Sequence, residues 1–478
     1  MEGALTHLKQ RAGEDWLIGY DSREFFNLSE KLFLDLSQQT NRETPLKIFL
    51  VEENPVRFLA SFIAACAANC HIFLCNPHWV EREWQQVFDL VQPDLILGQQ
   101  PHPSFSPYPS TPPPSARAMP RYANSTQHPA LIMIPTGGSS GKIRFAIHTW
   151  ETLMASVRGF HQYFGEKPIN SFCVLPLYHV SGLMQFLRSF TTGGRMAILP
   201  FKAVVAGEGR CIPNPAEFFI SLVPTQLARL LTSDAAAWLS RFQTVLLGGA
   251  PAWAELLEQA RRYNIPLALT YGMTETASQI VTLKPEAFQQ GNNSCGQVLP
   301  HAQISIRSFT GEILGTNQIG IITIKADSLT LGYYPEVFAN QPYFQPDDLG
   351  FVDEQGYLNV VGRSSNKIIT GGENVFPNEV EAAIQATQLV ADVCVTGIPD
   401  SQWGQVVTAV YVSLTQAVST AVLETALEDK LSKYKRPKYW MQVESLPRNS
   451  QGKVNYEQLQ TMVSAWLESH KASLSPMA

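Results

Sequence analysis

Short apolar runs recur along this chain between segments that read as helices. Residues 47–51, 72–74, 95–97, 130–134 and 172–175 have the length and composition of buried strands, and residues 55–68 and 80–91 read as helices separating the early ones. A second series follows, with strands expected at 198–199, 220–223, 244–247 and 267–270. Alternation of this kind predicts α/β layers. From about Ala302 the pattern changes to strands and turns at 304–307, 320–325 and 357–361, which predicts antiparallel pairing. After Arg363 comes a block long enough for a small domain, with a helix at 378–385, strands at 390–397 and 407–412, and a helix at 421–433. Eight prolines within residues 101–120 suit an extended linker or ordered loop and exclude a helix there.

Composition narrows the class. The 478 residues exceed one ordinary core, so at least two domains are expected. Apolar residues make up 45% and charged residues 16%, a globular balance, and a formal charge of −6 argues against a general nucleic-acid binder. The run 58–75 is rich in Ala and interrupted by Asn69 and His71, so it reads as a core helix leading into a strand and not as an integral membrane segment. The chain starts without a basic region followed by an apolar core, so no secretory signal is read. Seven scattered cysteines lack a paired spacing; buried reduced thiols and a cytoplasmic location are expected.

Several loops carry candidate chemistry. Thr136, Gly137, Gly138, Ser139, Ser140, Gly141 and Lys142 follow an apolar strand. Glycines allow backbone N–H groups to turn toward an anion, hydroxyls add donors, and the lysine adds a mobile charge, as a polyphosphate requires. Taken alone, the same loop could be a flexible surface turn. It is not a P-loop, because three residues separate Gly137 from Gly141 and Ile143 follows Lys142. A second strand ends at Tyr271 and Gly272, followed by Thr274 and Glu275. There an aromatic ring can cover a base, a hydroxyl can bind phosphate and a carboxylate can help hold Mg2+. Gly249, Ala250 and Pro251 form a glycine turn after another strand. Asp348 and Arg363 suit the hydroxyls of a ribose, although paired acids on a loop are commonly just solvated. Gly371, Gly372 and Glu373 read as a tight turn before a helix, and Lys453 ends a polar turn.

In this order the segments resemble the acyl-adenylate-forming superfamily of acyl-CoA synthetases, luciferases and adenylation domains, over about residues 45–455. Two departures stand out: Ile143, Arg144 and Phe145 replace the usual proline, lysine and glycine, and Pro346-Asp347 replaces the usual Thr-Gly before the aspartate. Within the superfamily, the segments 175–183, 247–251 and 271–283 resemble the o-succinylbenzoate–CoA ligases of menaquinone and phylloquinone biosynthesis.

The resemblance implies an α/β fold: a large N-terminal domain of layered mixed sheets with a β-barrel-like subdomain (1–363) and a small mobile α+β domain (364–478). It implies an ATP-, Mg2+- and CoA-dependent, AMP-forming acid–thiol ligase acting on o-succinylbenzoate. Residues 136–142, 249–251, Tyr271, Gly272, Asp348 and Arg363 would bind ATP. Thr274, Glu275 and Lys453 would be catalytic, Glu275 also meeting the metal, and Gly371–Glu373 would line the CoA tunnel. His179, Ser181, Arg188, Ser278 and Gln279 would meet the acid. The substrate has two carboxylates, so a second cation is required. Arg188 is either that anchor or an exposed helix residue, and His179 either shapes the pocket or is simply packed. Another acyl- or aryl-CoA ligase and an inactive nucleotide-binding regulatory protein remain open as alternatives.

Overall fold

The computed structural model describes residues 3–39, 44–100, 130–137, 143–209, 212, 214–232, 235–338, 342–364, 366–370, 373–400, 403–414, 418–448 and 453–470. Two large mixed sheets form the body. In the eight-stranded sheet the order is Leu17–Ile18, Met196–Ile198, Asn170–Cys173, Phe218–Leu222, Thr244–Leu247, Leu267–Met273, Ser278–Thr282 and Gln297–Val298. The seven-stranded sheet runs Glu336–Val337, Gly332–Tyr333, Ile143–Thr149, Leu131–Gly137, His71–Leu74, Lys47–Val51 and Leu95–Gly98. The central strands pair in parallel and are buried on both faces, which is why their sequences are continuous apolar runs.

Helices Ser22–Gln39, Pro55–Ala67 and Val180–Thr191 contribute to one apolar cluster that also draws on both sheets, including Ile48, Ile72 and Ile132 from one and Cys173, Met196 and Ile198 from the other. The outer faces are covered separately. Glu81–Leu90 packs Trp84, Val87 and Phe88 against Phe49, Phe73 and Phe145, and Pro224–Leu231 with Ala254–Arg262 covers Val245, Leu247 and Leu267. Layers of helix and sheet are the solution open to elements with one apolar stripe or two apolar faces.

The antiparallel block, expected as a barrel-like unit, is a four-stranded sheet in the order Ala302–Arg307, Gly320–Ala326, Asp348–Val352 and Leu358–Arg363. Its Ile306, Ile322, Ile324 and Leu358 pack with Tyr271, Ile280 and Val281 of the eight-stranded sheet. In the C-terminal block, Gly404–Ser413 pairs with Val390–Asp400, Ile368–Thr370 and Tyr439–Gln442, while Glu373–Val375 pairs with Ile368–Thr370.

Two sequence expectations change, and one departure from the family pattern finds its place. Glu373 belongs to a strand of a short hairpin, not to a turn leading directly into the helix, which is Pro377–Gln385. The helix expected over 421–433 is Thr420–Ala426; beyond it, i→i+3 bonds such as Glu428 N–H to the Thr425 carbonyl tighten the chain into turns. Ile143, Arg144 and Phe145 open a strand paired antiparallel to Leu131–Gly137, and the fully buried Phe145 meets the Phe73 ring edge-on at 5.2 Å. Neither proline nor glycine suits the interior of such a strand. Among the described residues no helix is long and apolar enough to cross a membrane.

Candidate active site

The hairpin from Leu267–Met273 to Ser278–Thr282 organises the site. Its register shifts between Tyr271 and Gly272, and a Cβ at Gly272 would overlap the Ser278 carbonyl, so glycine is required for the hairpin to close. Thr274–Thr276 forms a single 3-10 turn, and Ala277 and Ser278 adopt positive φ of 50° and 90°. Positive φ is uncommon for such residues. The turn is pinned from several sides: His148 Nε2–H donates to the Thr274 carbonyl at 2.8 Å, Ser156 Oγ–H to the Ala277 carbonyl at 2.7 Å, and Thr330 N–H to the Glu275 carbonyl at 2.8 Å. Burial lowers the His148 pKa to about 4, so the imidazole is a neutral donor at neutral pH.

Glu275 is buried, and its Oε1 accepts from Tyr333 Oη–H at 2.6 Å and from Thr136 Oγ–H at 3.5 Å. Arg144, register partner of Thr136, lies 4.3 Å over the Tyr333 ring. The carboxylate is thus aimed by neutral hydroxyls with a guanidinium nearby. Carboxylate and hydroxyl oxygens are suitable donors for Mg2+. Among the described residues no group of three or more His, Cys, Asp or Glu side chains could cage a metal. A Mg2+ ion at Glu275 would therefore take further oxygens from phosphates and water, as this ion prefers.

A second carboxylate sits opposite. Asp348 is buried; its Oδ2 accepts from Tyr271 Oη–H at 2.8 Å and its Oδ1 meets Arg363 Nε at 3.3 Å. Asp348 and Arg363 are direct cross-strand partners, so sheet register brings the pair together. Burial and the adjacent Asp348 carboxylate push the Tyr271 phenol well above its usual range, keeping it a donor. Gly249, Ala250 and Pro251 are exposed just beyond Thr244–Leu247, the parallel neighbour of the Tyr271 strand.

Lys453 closes the arrangement. The residue keeps solvent contact, but the surrounding walls desolvate its ammonium. Desolvation and the Arg363 cation lower its pKa, while Glu275 and Asp348 act in the opposite direction. Its charge also acts on His179, whose pKa is lowered to about 3 by burial first and by Lys453 second. A lysine from the C-terminal block therefore lies within electrostatic reach of both carboxylates and of the residue that opens helix Val180–Thr191. Ser181 stands in the first turn of that helix, its carbonyl accepting from Gln185 Nε2–H at 2.9 Å.

Arg188 is 2% exposed, so its alternative as an exposed helix residue is excluded. Its Nη2 donates to Ser278 Oγ at 3.2 Å and Gln279 Oε1 at 3.0 Å, and its guanidinium lies 4.0 Å over the Phe160 ring. Burial lowers its pKa to about 9. These contacts are to neutral groups. The arrangement brings Thr136, Thr274, Glu275, Tyr271, Asp348, Arg363 and Lys453 to one region, and sets Arg188 against Ser278 and Gln279, which begin the returning strand of the same hairpin. Gly138–Lys142, Gly371 and Gly372 lie outside the described residues, and Glu373 is exposed on its strand. Sequence reasoning missed His148, Thr330 and Tyr333. Their partners are distant in sequence, and no local pattern marks them.

The chain matches the AMP-binding enzyme family over residues 38–334 and the AMP-binding enzyme C-terminal domain over residues 379–453. It belongs to this family, the acyl-adenylate-forming enzymes. It is 36% identical to 2-succinylbenzoate–CoA ligase of Oceanobacillus iheyensis, over 68% of each chain. It is 34% identical to the enzyme of the same name from Enterococcus faecalis, over 67% of each. Among solved structures, o-succinylbenzoate coenzyme A synthetase (MenE) from Bacillus subtilis in complex with AMP superimposes with a TM-score of 0.81 at 26% identity, covering 96% of this chain and 98% of that one. The same enzyme with ATP and magnesium gives 0.80 at 26% identity, covering 96% and 99%.

Proposed function

We propose that this protein is a 2-succinylbenzoate–CoA ligase that joins the succinyl carboxylate to AMP and then transfers the acyl group to CoA. The observation that carries this reading is the buried Arg188, bonded to the strand that leaves the Glu275 turn. A desolvated cation bonded only to neutral acceptors is costly unless an anion joins it. A substrate with a second carboxylate supplies that anion, whereas a simple fatty or aryl acid does not.

In the first half-reaction the succinyl carboxylate attacks the α-phosphate of ATP and pyrophosphate leaves. Two anions must meet, so alignment and charge stabilisation dominate catalysis. Residues 136–142, with Thr274, cradle the phosphates, and Arg144 adds a cation beside them. Glu275 holds Mg2+, which neutralises phosphate charge when bound. Tyr333 and Thr136 orient that carboxylate. Asp348 and Arg363 take the ribose hydroxyls, Tyr271 covers the base while steering Asp348, and Gly249–Pro251 and Gly272 allow close approach of the nucleotide. Lys453 bridges the attacking carboxylate and the α-phosphate. His179 and Ser181 border the acyl chain, and Arg188 with Ser278 and Gln279 holds the benzoate.

In the second half-reaction the CoA thiolate attacks the acyl-AMP carbonyl and AMP leaves. Lys453 stands where the thiol must arrive, so the unit 364–478 turns relative to 1–363 about residues 364–366 and presents Gly371–Glu373 to the pantetheine. The described cysteines, Cys66, Cys70, Cys75, Cys173, Cys295 and Cys394, are all free thiols, which suits a cytoplasmic enzyme, and none has a catalytic role. The test is mass spectrometry of the product from o-succinylbenzoate, ATP and CoA beside a panel of other acids. Formation of a different acyl-CoA at higher kcat/KM would replace the substrate assignment. Absence of any carboxylate-dependent ATP–pyrophosphate exchange would favour a regulatory protein.

A further inference from the structure

His301 follows Gln297–Val298, the strand paired with Ser278–Thr282, and lies against helix Trp150–Tyr163. A Cβ at Gly159 would overlap its Nδ1, so that helix is thinned to admit the imidazole at this spot. The next residue on the helix is Phe160, the platform for Arg188. The His301 carbonyl accepts from Asp327 N–H at 3.2 Å, which fixes its backbone. Both ring nitrogens are shielded from solvent and have no hydrogen-bond partner among the described residues. The same is true of Arg188 Nε and Gln279 Nε2. Four polar atoms in one neighbourhood, one on Arg188 itself and three on side chains that hold or face it, lack partners among the described residues. Leaving buried polar atoms unpaired is costly, so a cluster of this kind marks a place for a polar ligand.

The charges facing His301 come from three elements: Arg188 on Val180–Thr191, Arg158 on Trp150–Tyr163 and Asp327 beyond Gly320–Ala326. Burial, Arg188 and Arg158 lower its pKa to about 4, against the opposing pull of Asp327, so the imidazole is neutral at neutral pH in the free protein. An arriving carboxylate reverses that balance, because an anion within a few ångströms favours the protonated ring.

Resting on the reading that Arg188 meets the substrate's aromatic carboxylate, we infer that His301 is a second, switchable contact for that carboxylate. The imidazole takes a proton from solvent as the dicarboxylate binds and returns it when the acyl product leaves. Arg188 supplies a permanent positive charge and His301 a conditional one. In the free protein the pocket therefore does not hold two buried cations side by side. With substrate bound, two cations face one carboxylate and discriminate against acids that lack it.

The test uses the full chain. Titration calorimetry of o-succinylbenzoate at pH 7 in phosphate and in Tris, buffers of different ionisation enthalpy, should show uptake approaching one proton per site. The monocarboxylate 4-oxo-4-phenylbutanoate should show none. His301→Asn keeps a polar side chain but cannot titrate. It should abolish the uptake and raise KM for o-succinylbenzoate about tenfold, leaving KM for ATP and for the monocarboxylate unchanged. KM for the dicarboxylate should rise with pH in the natural protein as the bound imidazole deprotonates, and should be flat in H301N. No proton uptake by the natural protein, or an unchanged KM ratio in H301N, overturns the inference. Its failure differs from failure of the substrate assignment, in which o-succinylbenzoate is not converted to a CoA thioester at all.

Discussion

The two ends of the proposed site, one for the nucleotide and one for the acid, are built on opposite electrostatic plans. At the nucleotide end the buried groups are carboxylates, Glu275 and Asp348, each aimed by a tyrosine hydroxyl and each near a guanidinium, Arg144 or Arg363. At the acid end the buried group is a cation, Arg188, held by neutral oxygens and an aromatic face. The first plan suits ligands that bring hydroxyls and a metal ion; the second suits a ligand that brings negative charge. Lys453 lies by the boundary, acting on Glu275 and Asp348 on one side and on His179 on the other. The contrast teaches that this site is divided by charge type. A molecule presenting a nucleotide at one end and a carboxylate at the other meets its complement at both.

The largest effect should come from removing the boundary charge. Lys453→Ala is expected to slow acyl-AMP formation about 10²–10³-fold while sparing thioester formation from supplied acyl-AMP, measured by pyrophosphate release and by CoA consumption. Equal loss in both assays would reject the idea that the lysine serves only one half-reaction. Its pH dependence sharpens the point. The Lys453 pKa is lowered, so the protonated form that the proposed role in adenylation needs is lost at a lower pH than for an ordinary lysine as pH rises. Lys453→Arg should push that alkaline limb upward in a pH–rate profile.

Next is the acid end. Arg188→Met should raise KM for o-succinylbenzoate about 10²-fold and change KM for 4-oxo-4-phenylbutanoate only slightly. It should also leave thermal stability unchanged or increased, since a buried charge without a carboxylate partner is replaced by an apolar chain. A marked fall in Tm would make Arg188 a structural residue. The smallest effect belongs to Tyr333→Phe, which removes the 2.6 Å bond to Glu275. The expected outcome is a three- to tenfold (roughly) higher Mg2+ requirement in the exchange assay, with KM for the acid unchanged. An altered acid preference instead would mean that the two ends are not separable.

Much of the nucleotide end was legible in the sequence because its parts lie in continuous segments with their own local logic. A buried strand ending in Tyr271 and Gly272, a hydroxyl–carboxylate turn and a glycine-rich loop are recognisable wherever they occur. Asp348 and Arg363 were read as suiting the same ribose, and antiparallel register makes them direct partners, which the sequence did not show. The acid end was less legible. Arg188 could have been an exposed helix residue; only the packing of Phe160 beneath it and Gln279 beside it removes it from solvent.

Residue order was enough to specify the α/β alternation, the antiparallel block after Ala302, the strands and helix after Arg363 and the strand-end position of the candidate loops. Local apolar patterning and turn composition act over a few residues, and those features depend on nothing more distant. Tertiary structure alone decided that Tyr333 would aim Glu275 from 58 residues away. It alone brought Lys453 within electrostatic reach of the carboxylates and set His301 against Gly159, close to Arg188. Burial, orientation and the charge felt by a side chain are properties of whichever segments converge on it, and convergence leaves no trace in the neighbouring residues.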